Sequence, residues 1–293
     1  MRQAARWLPA LLLALAACRP EDAPLFQRGY QPLTEYHTTV VMSTVRSLHQ
    51  ETAEGKLLPD ARQSRDEIRT TQRLRFGPAA DGACPVELEM LDYRVIEPEQ
   101  AVRMDLAGCV GLARYELEAR RLAWLGLKDT TWQARGQATD PNFILRPLSA
   151  EEAASYLAST VELLNSALAD SARRLVPGQG WNERRRQETR IGPFPVAWSE
   201  TRRVTTRELA GGQAFLEVAV ELVPEAIAGG PPVQLEGAGK GRIDFDLARR
   251  FTALSTLQSS MTIEVADSAL TWIARSETTM EIRTTARPWS PAR

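Results

Sequence analysis

The chain has 293 residues, 43% of them hydrophobic and 25% charged, with 36 basic against 37 acidic side chains and a formal net charge of −1. That balance excludes a chain disordered along its length and lacks the basic excess of a nucleic-acid binder. The absence of a second long apolar run excludes a polytopic helical membrane protein, and the length suits one large β domain or two smaller ones.

Residues 1–17 read as a signal peptide: Arg2 and Arg6 precede an apolar run from Trp7 to Ala17. The run falls short of the roughly 20 residues that span a bilayer. It ends in Leu15-Ala16-Ala17-Cys18, which resembles a bacterial lipobox. The resemblance implies cleavage before Cys18, diacylglycerol on its sulfur and a membrane anchor in the bacterial cell envelope. Arg19 in place of Asp after the Cys implies the periplasmic face of the outer membrane. Several acyl chains together retain a protein where one alone binds marginally. Cleavage leaves 276 residues and, with two Arg gone, a net charge of −3. Residues 18–33 read as a lipidated tether: after the Cys come three Pro and one Gly without periodicity, reaching about 50 Å at most.

A first β half is expected over 34–148. Val86, Leu88 and Met90 alternate with Glu87 and Glu89, then the apolar phase flips to Leu91, Tyr93 and Val95. The flip predicts a β-bulge near Met90. A turn near Glu97-Pro98 folds this strand onto the next and sets Cys84 opposite Cys109. In an exported chain the pair reads as a disulfide, worth about 3.5 kcal/mol for a loop of ~26 residues. A reactive thiol would need a His or helix N-terminus beside it, and neither is visible.

A helix is predicted over 149–175, within a segment ending at 176. Ser149-Ala150-Glu151-Glu152 forms a capping box. Leu157, Val161, Leu164, Leu168 and Leu175 recur at helical spacing before Pro177-Gly178. A second β half is expected over 177–288, with a tail at 289–293. Leu216, Val218, Val220 and Leu222 alternate with Glu217, Ala219 and Glu221; Ile243 and Phe245 alternate with Asp244 and Asp246. The expected class is mainly β (α+β): about eleven strands in two pseudo-repeated antiparallel halves joined by one long amphipathic helix.

Three ordered matches about 130 residues apart carry the repeat. Val86–Met90 matches Leu216–Val220. Arg114–Leu122 matches Arg242–Phe251 with one inserted residue. Arg69–Gln72 matches Val204–Arg207. The helix, then Pro177-Gly178-Gln179-Gly180-Trp181, then Gly237-Ala238-Gly239-Lys240-Gly241 before Ile243-Asp244-Phe245-Asp246, resembles an uncharacterised family of β-rich bacterial lipoproteins over about residues 35–265. The resemblance implies an exported, anchored β body and no particular activity.

Chemistry is sparse. Gly237–Gly241 is not a phosphate loop, because Gly rather than Ser or Thr follows the Lys; a glycine-kinked strand is expected. Glu116 with Glu118, and Asp244 with Asp246, are carboxylates about 6.6–6.8 Å apart if on strands. They could serve acid/base work or hold a hard cation; the plainer alternative is a solvated strand face. His37 and His49 read as ordinary strand residues, and no Gly-x-Ser-x-Gly elbow occurs. Arg184-Arg185-Arg186 and Arg202-Arg203 suit either exposed faces paired with acids or a groove for an anionic lipid or glycan. Trp181, Trp198 and Trp272 are expected in core or rim.

The expected function is a non-catalytic anchored lipoprotein, without cofactor or metal, binding an envelope partner. A carrier of a lipid or other apolar ligand, lidded by the helix, is the first alternative. A carboxylate-dependent periplasmic hydrolase is the second. Feeding cells a palmitate analogue is expected to label the wild-type chain and not Cys18→Ser; an unlabelled wild type would remove the anchor.

Overall fold

The computed structural model describes residues 23–290 except 53, 60, 97–100, 105, 130–143, 169–171, 228–230 and 268–269. The expected signal peptide, the Leu15–Cys18 motif and the expected turn at Glu97-Pro98 lie outside the described residues. The described elements, in chain order, are β1 (Leu25–Phe26), β2 (Thr34–Thr52), β3 (Arg62–Phe76), β4 (Ala83–Ile96), β5 (Ala101–Met104), β6 (Cys109–Glu116), β7 (Arg121–Leu127), β8 (Ile144–Arg146), the helix α1 (Ala150–Leu168), β9 (Arg173–Arg174), β10 (Gly180–Ile191), β11 (Phe194–Ala210), β12 (Gln213–Glu225), β13 (Val233–Asp246), β14 (Phe251–Ala266) and β15 (Leu270–Pro288).

Thirteen strands make one sheet, ordered β10-β11-β12-β13-β14-β15-β2-β3-β4-β5-β8, with β6 beside β4 and β7 beside β6. β1 and β9 pair separately. The fold is therefore mainly β with a single described helix, built as two halves of one sheet rather than two sheets.

The bulge falls where the phase flip put it: Thr71 pairs with Asp92 and Gln72 with Met90, leaving Leu91 as the extra residue. The capping box forms, with Glu152 N donating to Ser149 Oγ at 3.2 Å and Ser149 N donating to Glu152 Oε2 at 2.9 Å. The helix ends at Leu168 rather than near 175. Leu175 is fully buried instead beside a strand, its N–H donating to Pro24 O at 2.8 Å. Seven-residue spacing from Leu168 fits a helix turn, but the pairing of β9 with β1 takes Leu175 into a different cluster.

The repeat is real and needs no insertion. Val86 pairs with Phe76 and Ala113, and Leu216 pairs with Thr206 and Ile243, so partners in three strands differ by a constant 130. The turn residues obey the same offset: Asp81 and Gly82 (φ 49 and 75) correspond to Gly211 and Gly212 (φ 58 and 77). Leu117 N donates to Gly82 O, and Leu247 N to Gly212 O, both at 3.0 Å. The Val86–Leu216 match is thus in register. The inserted residue before Arg250 is not needed, and Val204 corresponds to Leu74 rather than Arg69.

Cys84 and Cys109 are both buried, free thiols. Cys84 lies opposite Tyr115, and Cys109 opposite Met90. Six residues of register separate them, about 20 Å along the strand, against the roughly 7 Å limit between disulfide-bonded Cα atoms. The expected disulfide is corrected on that ground. A fold about 96–97 overlooks β5, which takes the near end of β4 and moves the β6 pairing outward. Burial pushes each thiol up to about 11, so neither is an activated nucleophile.

The sheet's apolar side chains share one face. Tyr36, Leu74, Phe76, Val86, Leu88, Ala113 and Tyr115 meet α1 through Ala153, Leu157 and Val161 in one cluster. Trp181, Val204, Leu216 and Phe245 form a second cluster, and Ile191, Val196, Leu235, Ile263 and Val265 a third. The sheet curls over this face: Gly192, in the β10–β11 turn, lies so close to Trp272 of β15 that a Cβ would sit 2.8 Å from its ring. Gly237 and Gly241 of β13 lie within the bend. A Cβ would meet Leu222 at 2.5 Å or the Thr256 carbonyl at 2.1 Å, so this glycine run is a sheet corner.

The segment expected as a free tether is in part a plug. Tyr30 stacks on Phe76 with ring centres 4.6 Å apart, and Phe26 packs 4.7 Å from Phe245. Its backbone is also held. Gly29 N donates to Arg250 O at 2.9 Å, Gln31 N to Tyr36 Oη at 3.0 Å and Tyr30 N to Tyr115 Oη at 3.3 Å. Two aromatic side chains four residues apart do this without periodicity, which is why composition alone reads as a linker.

α1 seals one edge of the sheet. Asn165 mimics a strand: its Oδ1 accepts from Leu122 N at 2.7 Å and its Nδ2 donates to Leu122 O at 2.8 Å. Asn165→Leu leaves both groups of a 2%-exposed residue unpaired and is expected to destabilise by about 2 kcal/mol in urea unfolding. An unchanged midpoint would show that the edge does not need the amide.

Candidate functional site

Of the expected carboxylates, Asp244 and Asp246 are spent on structure. Asp246 closes the β13–β14 turn, its Oδ1 accepting from Arg249 N at 2.8 Å and its carbonyl from Arg250 N at 2.8 Å. Asp244 accepts from Arg242 Nη2 at 2.9 Å. Glu116 sits between Ala83 and Arg121 in the ladder, and Glu118 is exposed in the turn after it. Five strands lie between β6 and β13 in the sheet, and among the described residues no three of His, Cys, Asp and Glu gather as a metal site. The helix's apolar face enters packed core: Leu157 is fully buried and lies against Gly111 beside Trp124. Trp181, Trp198 and Trp272 flank the clusters, as their size implies.

The face opposite the core is a lattice of charges. Alternation places Glu35, His37, Arg73, Arg75, Glu87 and Glu89 there, in neighbouring strands. Glu35 is its centre, with a side chain only 3% exposed. It accepts from Arg75 Nε and Arg287 Nε, both at 2.7 Å, and lies 2.6 Å from His37 Nε2. Arg75 reaches on to Glu87 at 3.7 Å and Glu89 at 3.8 Å, while Lys128 and Arg73 bind those two acids from the far side. Burial alone would raise the Glu35 pKa; the hydrogen bonds from Arg75, His37 and Arg287 outweigh it and hold the group at about 2. Sequence reasoning missed this centre. Its only local signal is that Glu35 and His37 alternate with the buried Tyr36; Arg75 and Arg287 arrive through strand pairing from far along the chain.

The same polar face carries a groove across the strands. One part, about 890 Å³, is walled by Arg203, Lys240, Arg242, Gln258 and Glu281. A second part, about 650 Å³, shares Lys240, Gln258 and Thr279 and continues to Ser43 and Arg65. The register aligns its axis as a single transverse row: Arg203, Ala219, Lys240, Gln258, Thr279 and Ser43 are successive partners.

The Arg-rich stretches resolve differently. Arg202 pairs with Glu200 at 2.5 Å, and Arg184 and Arg186 both reach Glu225, at 3.7 and 3.1 Å. They belong to β10 and β11, and β10 is the outermost strand of the sheet. Its turn, Gly192-Pro193, joins Ile191 and Phe194 as a hydrogen-bonded pair. Odd positions of β10 therefore bond β11. Asn182, Arg184, Arg186, Glu188 and Arg190 turn their N–H and C=O groups to the open side.

No protein-family model and no curated protein matches the sequence. Among solved structures, a lipovitellin structure is similar at 9% identity over 90% of this chain and 26% of that one, with a TM-score of 0.39. The translocator domain of the autotransporter NalP from Neisseria meningitidis is similar at 7% identity over 95% and 94%, with a TM-score of 0.15. The chain spans about a quarter of the lipovitellin chain, and neither likeness assigns a fold.

Glu35→Gln is expected to cost about 2 kcal/mol at pH 7, less than a fully buried broken pair, because Arg75 and Arg287 retain access to water. The folded pKa lies below the ordinary 4.5, so the carboxylate's contribution is complete above that pH and is lost as pH falls towards 2. The melting-temperature gap between wild type and variant should shrink over this window. A gap that stays constant would assign the effect to packing instead.

Proposed function

We propose that the chain is a non-catalytic, lipid-anchored protein of the bacterial cell envelope that holds a partner along the open edge of its sheet. The anchoring rests on the basic N-terminus, the apolar run and Leu15–Cys18. The binding reading is carried by the unequal completion of the repeat.

Arg75 pairs with Glu35 in β2, and the equivalent Thr205 pairs with Gly180 in β10, so β2 and β10 occupy matching places. Tyr36 and Trp181 are their matching aromatics. The outer side of β2 is covered by β15 from Thr34 to Thr52. The outer side of β10 has no strand on it among the described residues. In the first half the place of β15 is taken by α1, which closes β7 through Asn165 and supplies no strand.

An extended segment added to β10 would satisfy its outward backbone groups and leave specificity to alternate side chains. β10 carries Arg184, Arg185, Arg186 and Arg190 against Glu183 and Glu188. Glu225 of β12 takes up part of that charge at Arg184 and Arg186; the positive excess that remains favours an acidic strand. It also opposes pairing between two copies, where the central Arg run would face itself.

Hydrogen exchange tests this on the anchored protein. In native envelope vesicles the β10 amides are expected to be protected relative to the purified protein in detergent. Arg186→Pro, which removes an outward N–H and no sheet hydrogen bond, should abolish that difference while leaving the β13–β15 amides unchanged. Equal exchange of β10 in both settings would overturn the proposal.

A further inference from the structure

We propose that the transverse groove is a binding site for a phosphate-bearing polar ligand, its phosphate seated over Ala219 between Arg203 and Lys240. The groove shares no residue with β10, so the site stands independently of the strand-edge reading.

Arg203 and Lys240 are the direct partners of Ala219 on either side. Each backbone lies about 4.8 Å from that of Ala219. The methyl group of Ala219 leaves the space between the two long side chains open, so both cationic ends can converge on one oxyanion. The guanidinium offers a two-pronged contact and the ammonium a point charge.

Several cations elsewhere on this face are matched within the chain. Arg69 meets Glu67, Arg94 meets Asp92, and Arg283 meets Glu281. The acids beside this end of the groove are engaged too: Glu217 by Arg207 and Glu281 by Arg283; its other cation, Arg242, is held by Asp244, and Arg65 lines the opposite end across Val45 from Glu277. Among the described residues, Arg203 and Lys240 form no ion pair. The groove therefore carries two uncompensated positive charges at one end. Glu221 stands one row away on β12, outside the lining, and Glu277 stands at the far end.

From Lys240 the row continues through Gln258, Thr279 and Ser43. These are uncharged donors and acceptors, suited to the hydroxyl groups of a ligand body. A groove of about 890 Å³ is of the size that holds a small molecule. A phosphate on a hydroxylated body can come from a soluble sugar phosphate or a phospholipid headgroup, and the chemistry of recognition is shared.

Isothermal titration of the purified lipidated protein in neutral detergent separates the sources. The probes are glucose 6-phosphate, dihexanoylphosphatidylglycerol and, as the uncharged comparison, glucose. One-to-one binding of a phosphate probe is expected, weakened at least tenfold by Lys240→Gln and by Arg203→Gln. Arg275→Gln, exposed on β15 away from the groove, should leave it unchanged. Binding of glucose 6-phosphate alone supports the site with a soluble ligand; binding of the lipid, with or without the sugar phosphate, supports it with a headgroup. Binding of neither, equal binding of glucose, or affinity unchanged in both groove variants overturns the proposal. Thermal melts of the variants, expected to match wild type because both side chains are exposed, establish that a lost signal is not lost folding.

Discussion

A single sheet with one apolar face has to bury that face without a second sheet to pack on, and this constraint organises the rest of the molecule. Two layers around a core are the general solution. Here the second layer is assembled from three sources. The sheet curls until Gly192 meets Trp272. α1 covers β6 and β7. The segment from Pro24 to Leu33 inserts Phe26 and Tyr30 at the remaining end. The aromatic cluster of Tyr30, Tyr36, Phe76 and Tyr115 makes that last closure stiff, because the phenol oxygens of Tyr36 and Tyr115 also hold the plug's backbone. Residues 24–33 are consequently held as packed core rather than as a loose spacer.

Burying one face leaves the other to be made soluble, and the chain does so with Arg and acids in alternate positions. Thirty-three of its 36 basic residues are Arg. A guanidinium can serve two carboxylates in one plane, as Arg75 does between Glu35 and Glu87, which a lysine ammonium does less well. Each such surface pair adds little stability. Their collective effect is to offset much of the charge on the face, so that the adjacent uncompensated pair Arg203 and Lys240 marks a place where an anion would be drawn. The duplication makes the remaining asymmetry visible. Two halves with a common 130-residue offset differ in the element that lies beyond β7 and beyond β14, a helix in one case and a strand in the other. The helix closes its own edge with a side-chain amide, and among the described residues β10 is left without a counterpart.

Local signals are legible where the physics is local. The capping box needs only Ser149 and Glu152, and the bulge at Leu91 comes from a phase flip within one strand. Readings that depend on register fail. A hairpin drawn through Cys84 and Cys109 ignores four residues of β5, and that is enough to move the thiols six positions apart. The one-residue insertion in the repeat arises when Arg-Arg runs are matched by identity, although Arg120 and Arg250 correspond through their left-handed backbone, φ 50 and 58. Of the carboxylates singled out by spacing, Asp246 is a turn cap and Asp244 an ion-pair partner, while Glu116 lies in the ladder and Glu118 in the exposed turn after it. Glu35, the most enclosed acid of the charged lattice, is invisible to local reading because its partners lie 40 and 252 residues away.

By itself the sequence determined the class of fold, the start of the helix, the alternation that separates a buried face from a charged one, and the existence of a repeat. All of these arise from periodicity and capping, which operate over a few residues. Only the tertiary structure decided the register of each strand against its neighbour. With it came the fate of the cysteines, the docking of residues 24–33, the row from Arg203 to Ser43, and the edge at β10 that no described strand covers. The reason is that a strand's side chains declare which face they occupy but not which residue stands beside them. The even charge balance of the whole chain concealed the same fact: neutrality on average, with two unmatched cations placed side by side across an alanine.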